Sequence, residues 1–264
     1  MNFKYLLIAV LAVSLVSCAD KADNTAKIDN LTTDATGKPN YEAAALLNIE
    51  MGQKYLAQGQ VSRAKKKFVH ALELKPKLPE AHSAIAYFYE TVGDKKEAEA
   101  HHLEAIKYGA GKGRFYNNYG TYLCRQKRSK EADRAFNKAL LDKQYPKTAE
   151  VYENAGLCAL QYDEAKAREY LQSSLQHDPH RGLAALELAN MEMKVNNPNS
   201  ALRYLNMFKQ TNQPTAKSLW ISIQALRKLN RKDDVASAAL QLKGLYSESP
   251  EYKEFLESTK YERE

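Results

Sequence analysis

Small residues return at a fixed step along this chain: Gly52, Ala86 and Gly120 are spaced by 34, and Ala64, Ala98 and Ala132 by the same interval. A period of this length means that one short supersecondary unit is repeated and buries its apolar face by stacking on its neighbour. The first unit reads Met51-Gly52, Tyr55, Ala64, Phe68, Ala71 and Pro76; the third reads Tyr116, Tyr119-Gly120, Ala132, Phe136 and Ala139. Gly or Ala is required where paired helices touch, because a larger side chain would push their axes beyond about 8–10 Å. Tyr and Phe then fill the space beside those contacts.

This is the tetratricopeptide signature. A fourth unit continues through Tyr152, Ala155-Gly156, Ala167, Leu171 and Pro179, and a fifth through Leu188-Ala189, Ala201 and Leu205. Gly120 to Gly156 is a step of 36 and Gly156 to Ala189 one of 33, which places an insertion in the Gln144 to Glu150 connection and a deletion in the Gln161 to Glu164 turn. A degenerate sixth unit carries Leu219, Trp220, Ile223 and Leu226, then Val235 or Ala236, Leu240 and Leu242, before a charged final segment from Glu251. Terminal units of a repeat stack need a soluble outer face, so departure from the pattern is expected there. The predicted fold is an all-α superhelical solenoid of about six helix pairs over 41–264, with units near 45–78, 79–112, 113–146, 149–181, 182–215 and 216–249 and a C-terminal cap. No strand pattern occurs.

The N-terminal stretch has a different logic. Lys4 precedes an apolar run from Tyr5 to Val16, too short to span a bilayer and closed by Leu15-Val16-Ser17-Cys18. That is the layout of a cleaved export signal over 1–17 followed by a lipidated Cys18, the other possibility being an ordinary secretory signal that happens to contain a cysteine. Acyl chains on Cys18 would hold the protein on a membrane at ~0.8 kcal/mol per buried CH₂. Ala19, where inner-membrane lipoproteins carry an acid, points to the outer membrane, facing the periplasm. Residues 18–40 are polar, lack apolar periodicity and read as a flexible tether.

The chain is basic, with formal charge +7, falling to +6 when the signal containing Lys4 is removed. Lys65-Lys66-Lys67 and the segment from Arg125 to Lys130 are read as solvated helix faces rather than a patch for anionic lipid or lipopolysaccharide, and no nucleic-acid partner is expected. No catalytic constellation stands out. His101-His102 and His177-Asp178-Pro179-His180 lack the spacing of a zinc hydrolase, and His102 falls where Phe68 and Phe136 fall in their units, which predicts a packing role. Gly109-Ala110-Gly111-Lys112-Gly113 has the composition of a phosphate loop without its spacing or its preceding strand, and reads as a connection. No metal, no cofactor beyond the lipid and no small-molecule substrate are expected.

Groove-facing positions of the first helices are the candidates for binding a partner. In the first unit they hold Leu46, Ile49, Gln53 and Leu56, read either as a hydrophobic groove or as a surface covered by an N-terminal segment. In the third and fourth units they hold Arg114, Asn117, Asn118, Thr121, Glu153 and Asn154. Their asparagines fit an extended peptide backbone or, equally, hydrogen bonds between neighbouring helices. Cys124 and Cys158 lie on adjacent first helices. They suit a disulfide if their Cα atoms come within about 7 Å, worth about 3–4 kcal/mol on the chain-entropy estimate; two separate packed thiols are the alternative.

Phe115-Tyr116-Asn117-Asn118-Tyr119-Gly120, Gln126-Lys127-Arg128 with Glu131-Ala132, Glu153-Asn154-Ala155-Gly156-Leu157, and Leu240-Gln241-Leu242-Lys243-Gly244-Leu245-Tyr246 with Glu251-Tyr252 are more distinctive than the generic repeat. With the lipobox and tether, they resemble the PilW/PilF family of type IV pilus biogenesis lipoproteins over nearly the whole chain. The shortened fourth-unit turn and His102 depart from it. The resemblance implies a non-enzymatic pilotin that binds outer-membrane secretin subunits and promotes their localisation and multimerisation, so that pilus assembly and twitching motility depend on it. Two competing expectations are a repeat lipoprotein of the β-barrel assembly machinery and an envelope enzyme acting on peptidoglycan.

Overall fold

The computed structural model describes residues 37–261, so the signal segment, Cys18 and the tether through residue 36 lie outside the described residues. The described residues form six helix pairs and a final helix, with no strand element. They divide into two compact units parted between Tyr108 and Gly109. The break falls at the glycine-rich connection, where Ala110 and Gly111 both take positive φ, 48° and 81°.

Unit 1 contains α1 (Tyr41–Ala57), α2 (Val61–Leu74), α3 (Pro79–Val92) and α4 (Lys95–Tyr108). Asn40 caps α1 by accepting the Ala43 N–H at 3.0 Å, and Pro79 begins α3 where no donor is needed. Ala45, Ile49, Ala64, Phe68, Ile85 and Phe88 belong to its core.

Unit 2 contains α5 (Gly113–Arg125), α6 (Ser129–Leu140), α7 (Thr148–Ala159), α8 (Glu164–His177), α9 (Gly182–Lys194), α10 (Pro198–Thr211), α11 (Ala216–Lys228), α12 (Lys232–Tyr246) and α13 (Pro250–Tyr261). Its C-terminal core gathers Leu219, Trp220, Ile223 and Leu242, against which Tyr252 and Phe255 of α13 pack. Trp220 meets Phe255 edge-on at 6.3 Å. Arg227 adds a hydrogen bond to Ser258 Oγ at 2.8 Å. The degenerate sixth pair is therefore closed by a helix carrying its own aromatics.

Two local rules generate the repeat. The first is close approach: a Cβ on Gly52 would come within 2.6 Å of the Phe68 ring, one on Gly120 within 2.7 Å of Phe136, and one on Gly156 within 2.7 Å of Leu171 Cγ. The second is the turn inside each pair. Gly59, Gly93, Lys127, Asn196 and Asn230 all adopt left-handed φ, between 56° and 83°. The next N–H returns to a carbonyl five residues back, as in Gln60 to Tyr55, Asp94 to Tyr89, Arg128 to Leu123, Asn197 to Glu192 and Arg231 to Leu226. This bond ends the first helix and aims the second back along it. The α7–α8 turn, where the sequence is one residue short, has no positive-φ residue among the described residues.

Candidate partner-binding surface

On α1 the predicted groove is only partly present. Leu46 is 43% exposed, whereas Ile49 is 7% exposed and belongs to the unit 1 core. The reason is helical phase. Ile49 is four residues from Ala45 and three from Gly52, so it shares their inward stripe. Leu46, Gln53 and Leu56 follow a neighbouring stripe, with Gln53 exposed and Leu56 half-buried against the core.

The polar candidates of unit 2 divide in the same way. Asn117 is 2% exposed; its Oδ1 accepts from Asn154 Nδ2 at 3.1 Å and its Nδ2 donates to Glu150 Oε1 at 3.3 Å. Glu153 is 4% exposed; it pairs with Arg181 and accepts the Ala184 N–H at 3.0 Å, closing the start of α9. Asn117, Asn154 and Glu153 therefore make hydrogen bonds between consecutive repeats. Buried amides and carboxylates must be satisfied, and here neighbouring repeats supply the partners. Thr121 Oγ1 donates to the Asn117 carbonyl at 2.9 Å. Asn118 is exposed and Arg114 half-buried.

Arg114 and Asn118 line a cleft of about 890 Å³ together with Lys112, Leu141, Asp142, Tyr145, Lys147 and Glu150. Gly113 shapes it, because a Cβ there would come within 2.7 Å of the Ala139 carbonyl and its N–H donates to Asp142 Oδ2 at 2.7 Å. That bond, ahead of the Gln144 and Tyr145 N–H groups, holds the Asp142 carboxyl below its ordinary range. Further along α5, Cys124 and Cys158 are joined as a disulfide with Cα atoms 5.7 Å apart, and Gln161 Nε2 approaches Cys124 Sγ at 3.4 Å.

Unit 1 holds a cluster that sequence reasoning missed. Tyr89, His101, His82 and Tyr108 form a column of rings, with centroids 5.7, 5.2 and 5.4 Å apart in succession. Lys65 lies over Tyr89 at one end and Lys107 over Tyr108 at the other. His82 Nε2 donates to the Pro76 carbonyl at 3.0 Å. A carbonyl can only accept, so His82 Nδ1 is bare in the neutral ring and takes a proton-mediated bond from His101 Nδ1 at 3.0 Å. Burial holds both imidazoles below their ordinary value. His102 is buried, as its place in the repeat predicts, and bonds Glu90 Oε1 at 2.8 Å. His82 and His101 face each other because their helices run antiparallel, and neither lies at a consensus position. Among the described residues no group of three or more His, Cys, Asp or Glu is assembled to hold a metal, and no helix is long and apolar enough to cross a membrane.

No protein-family model matches the chain. The type IV pilus assembly protein PilF of Pseudomonas aeruginosa is 34% identical over 256 residues, spanning 97% of this chain and 98% of the relative. This chain belongs to the PilF family. The solved structure of Pseudomonas aeruginosa PilF superposes with a TM-score of 0.75 at 34% identity, covering 83% of this chain and 99% of that one. The type IV pilus biogenesis factor PilW has a similar fold, with a TM-score of 0.69 at 24% identity, covering 80% and 98%. A tetratricopeptide repeat protein of Parabacteroides merdae shares the fold at 13% identity with a TM-score of 0.55, covering 90% and 95%. The fold is all-α and built of tetratricopeptide repeats, as the period predicts, and the protein is a type IV pilus biogenesis factor.

Proposed function

We propose that this member of the PilF family is a lipoprotein pilotin. Lipid on Cys18 anchors it to the periplasmic face of the outer membrane, and its repeats bind subunits of the type IV pilus secretin so that they localise and multimerise there. The observation that carries this reading is the near end-to-end relationship to a pilus assembly protein, a machine that needs an exit through the outer membrane. On α1, Leu46 and Gln53 are exposed and are the contact residues this reading offers in unit 1. The role needs no catalysis, no nucleic acid, no small-molecule substrate and no cofactor other than the covalent lipid. Twitching motility follows indirectly, since fibres leave through the secretin ring.

A strain lacking the gene tests the reading. Its outer-membrane fractions should contain no heat- and detergent-resistant secretin multimers, with monomer accumulating elsewhere and porins unchanged. Normal multimers would refute it; a general loss of porins would assign the protein to β-barrel assembly.

A further inference from the structure

The interval between consecutive second helices is bridged in unit 2 and open in unit 1. In unit 2, Tyr170 of α8 reaches across to α6, where its hydroxyl donates to Asp133 Oδ1 at 2.9 Å and Lys166 Nζ donates to Asp133 Oδ2 at 2.7 Å. Counted by the repeat, Lys65 and Val69 of α2 stand where Asp133 and Asn137 stand in α6, each 68 residues earlier. His101 stands where Tyr170 does, directly before the residue in the phenylalanine position, His102 in one case and Leu171 in the other. Its ring turns to α3 instead. It bonds His82 Nδ1 at 3.0 Å and stacks on Tyr89, with centroids 5.7 Å apart.

With that ring turned away, a recess of about 300 Å³ lies between α2 and α4. Phe68 and Phe88, both buried, line it with Ile85, and Val69 and Leu72 form its α2 wall. Val69 is 40% exposed, so the recess opens to solvent. An apolar cavity of about 150 Å³ accepts benzene, which leaves this one room for an aromatic side chain.

Polarity fixes the other half of the occupant. At one end Lys65, exposed, holds its ammonium 5.8 Å from the centre of the Tyr89 ring, and among the described residues no carboxylate pairs with it. Glu73 lies two turns further on, about 12 Å along the helix, and is already met by His70 Nδ1 at 2.9 Å. Unit 2 places an acceptor, Asp133, against the Tyr170 hydroxyl, whereas unit 1 places a donor at the same point. A group that completes the recess must therefore bring an acceptor beside its ring, and an anion makes the stronger bond.

We propose that the α2–α4 recess docks a polypeptide segment in which an aromatic side chain is followed by an acidic residue. The ring lies against Phe68 and Val69, and the carboxylate meets Lys65. No α1 residue lines the recess, so the site is separate from the Leu46 and Gln53 contacts above, and either can fail without the other.

Fluorescence anisotropy and methyl NMR with the full chain test it, using flexible labelled peptides that carry Phe-Asp, Ala-Asp or Phe-Asn at their centre. The Phe-Asp peptide should bind at least about tenfold more tightly than Ala-Asp and about threefold more tightly than Phe-Asn, the modest gain of an ion pair open to solvent. It should shift the methyl signals of Val69, Leu72 and Ile85 and leave those of Leu240 on α12 in place. Lys65→Gln should remove the preference for Asp over Asn, while Lys66→Gln, with the same loss of charge one residue away, should keep it. Val69→Phe, which supplies a ring from within, should remove the preference for Phe over Ala. Circular dichroism establishes that each variant stays helical, and the methyl shifts of the native chain decide the matter if one does not. Equal binding of Phe-Asp and Ala-Asp, equal losses in the Lys65 and Lys66 variants, or shifts confined to Leu46 on α1 would overturn the proposal.

Discussion

Units 1 and 2 are built from the same repeat but are fastened by different chemistry. In unit 1, α3 and α4 are joined by the Tyr89–His101–His82–Tyr108 column and by the buried His102–Glu90 pair. In unit 2, consecutive repeats are joined by the Cys124–Cys158 disulfide and by ion pairs between helices, among them Lys166 with Asp133, Arg168 with Glu192, and Lys217 with Glu187. The turns differ too, with glycine at 59 and 93 in unit 1 against Lys127, Asn196 and Asn230 in unit 2. A repeat consensus fixes how helices pair, and the fastenings between them are free to vary. The two units should consequently fail under different stresses.

The largest expected difference follows from breaking the disulfide. Its sequence separation of 34 corresponds to about 3–4 kcal/mol of chain-entropy stabilisation. Cys158→Ser, or treatment with a reductant, should raise amide exchange across α5 and α7 while leaving α1–α4 unchanged. Equal loss of protection in both units would show that they unfold together and erase the contrast.

Overpacking is the next effect and should be local to the unit that carries it. Gly52→Val should destabilise unit 1 and Gly120→Val unit 2, each by about 1–3 kcal/mol, because each new side chain meets a buried phenyl ring. Urea unfolding monitored through amide exchange reads the two separately.

Acid should discriminate in the opposite sense from the reductant. The folded His82 and His101 bind protons less readily than unfolded histidine at 6.5, chiefly through burial. Unfolded chain therefore takes up more protons as pH falls, and stability present above 6.5 is lost as pH drops from there through the lowered folded values. Chemically, a second proton on His82 Nδ1 would face the proton of His101 Nδ1 and break their bond. Glu97 and Glu104 favour the charged rings, whereas Lys107 and the neighbouring His102 oppose them; Lys65 closes the column over Tyr89. Thermal melts between about pH 7.5 and about 5.5 should fall for the native chain and flatten in a His82→Phe, His101→Phe double variant. An undiminished pH dependence in that variant would place the acid sensitivity elsewhere.

The smallest effect concerns the turns. Lys127→Gly should stabilise unit 2 by about 0.5–1 kcal/mol, since its φ of 60° is unfavourable for a residue with a Cβ. A lower melting temperature would mean that the lysine side chain contributes more than its backbone costs.

The repeat was legible in sequence because steric need writes it there: a glycine beneath Phe68 and another beneath Phe136 recur wherever the helices must approach. The candidate surface was less legible. Ile49 and Leu46 are both apolar, and only the rotation of α1 about its axis decides which faces inward. Asn117, Asn154 and Glu153 carry the same groups that would bind a peptide, and their engagement between repeats depends on distances that spacing does not encode. His82 and His101, 19 residues apart, meet only once α3 and α4 have paired. Their separation in an antiparallel hairpin was the available signal.

The contacts beneath the aromatic rings also limit how repeats can diverge after duplication. With Phe68 over Gly52 and Phe136 over Gly120 at distances where an added carbon forces the ring to shift, enlarging either partner alone is costly. Shrinking the ring together with adding a methyl group avoids that cost. The second repeat carries both changes, Ala86 in the glycine position and His102 in the phenylalanine position. Its first helix is matched to its own second, so substitutions at these two positions are expected to couple within the helix pair.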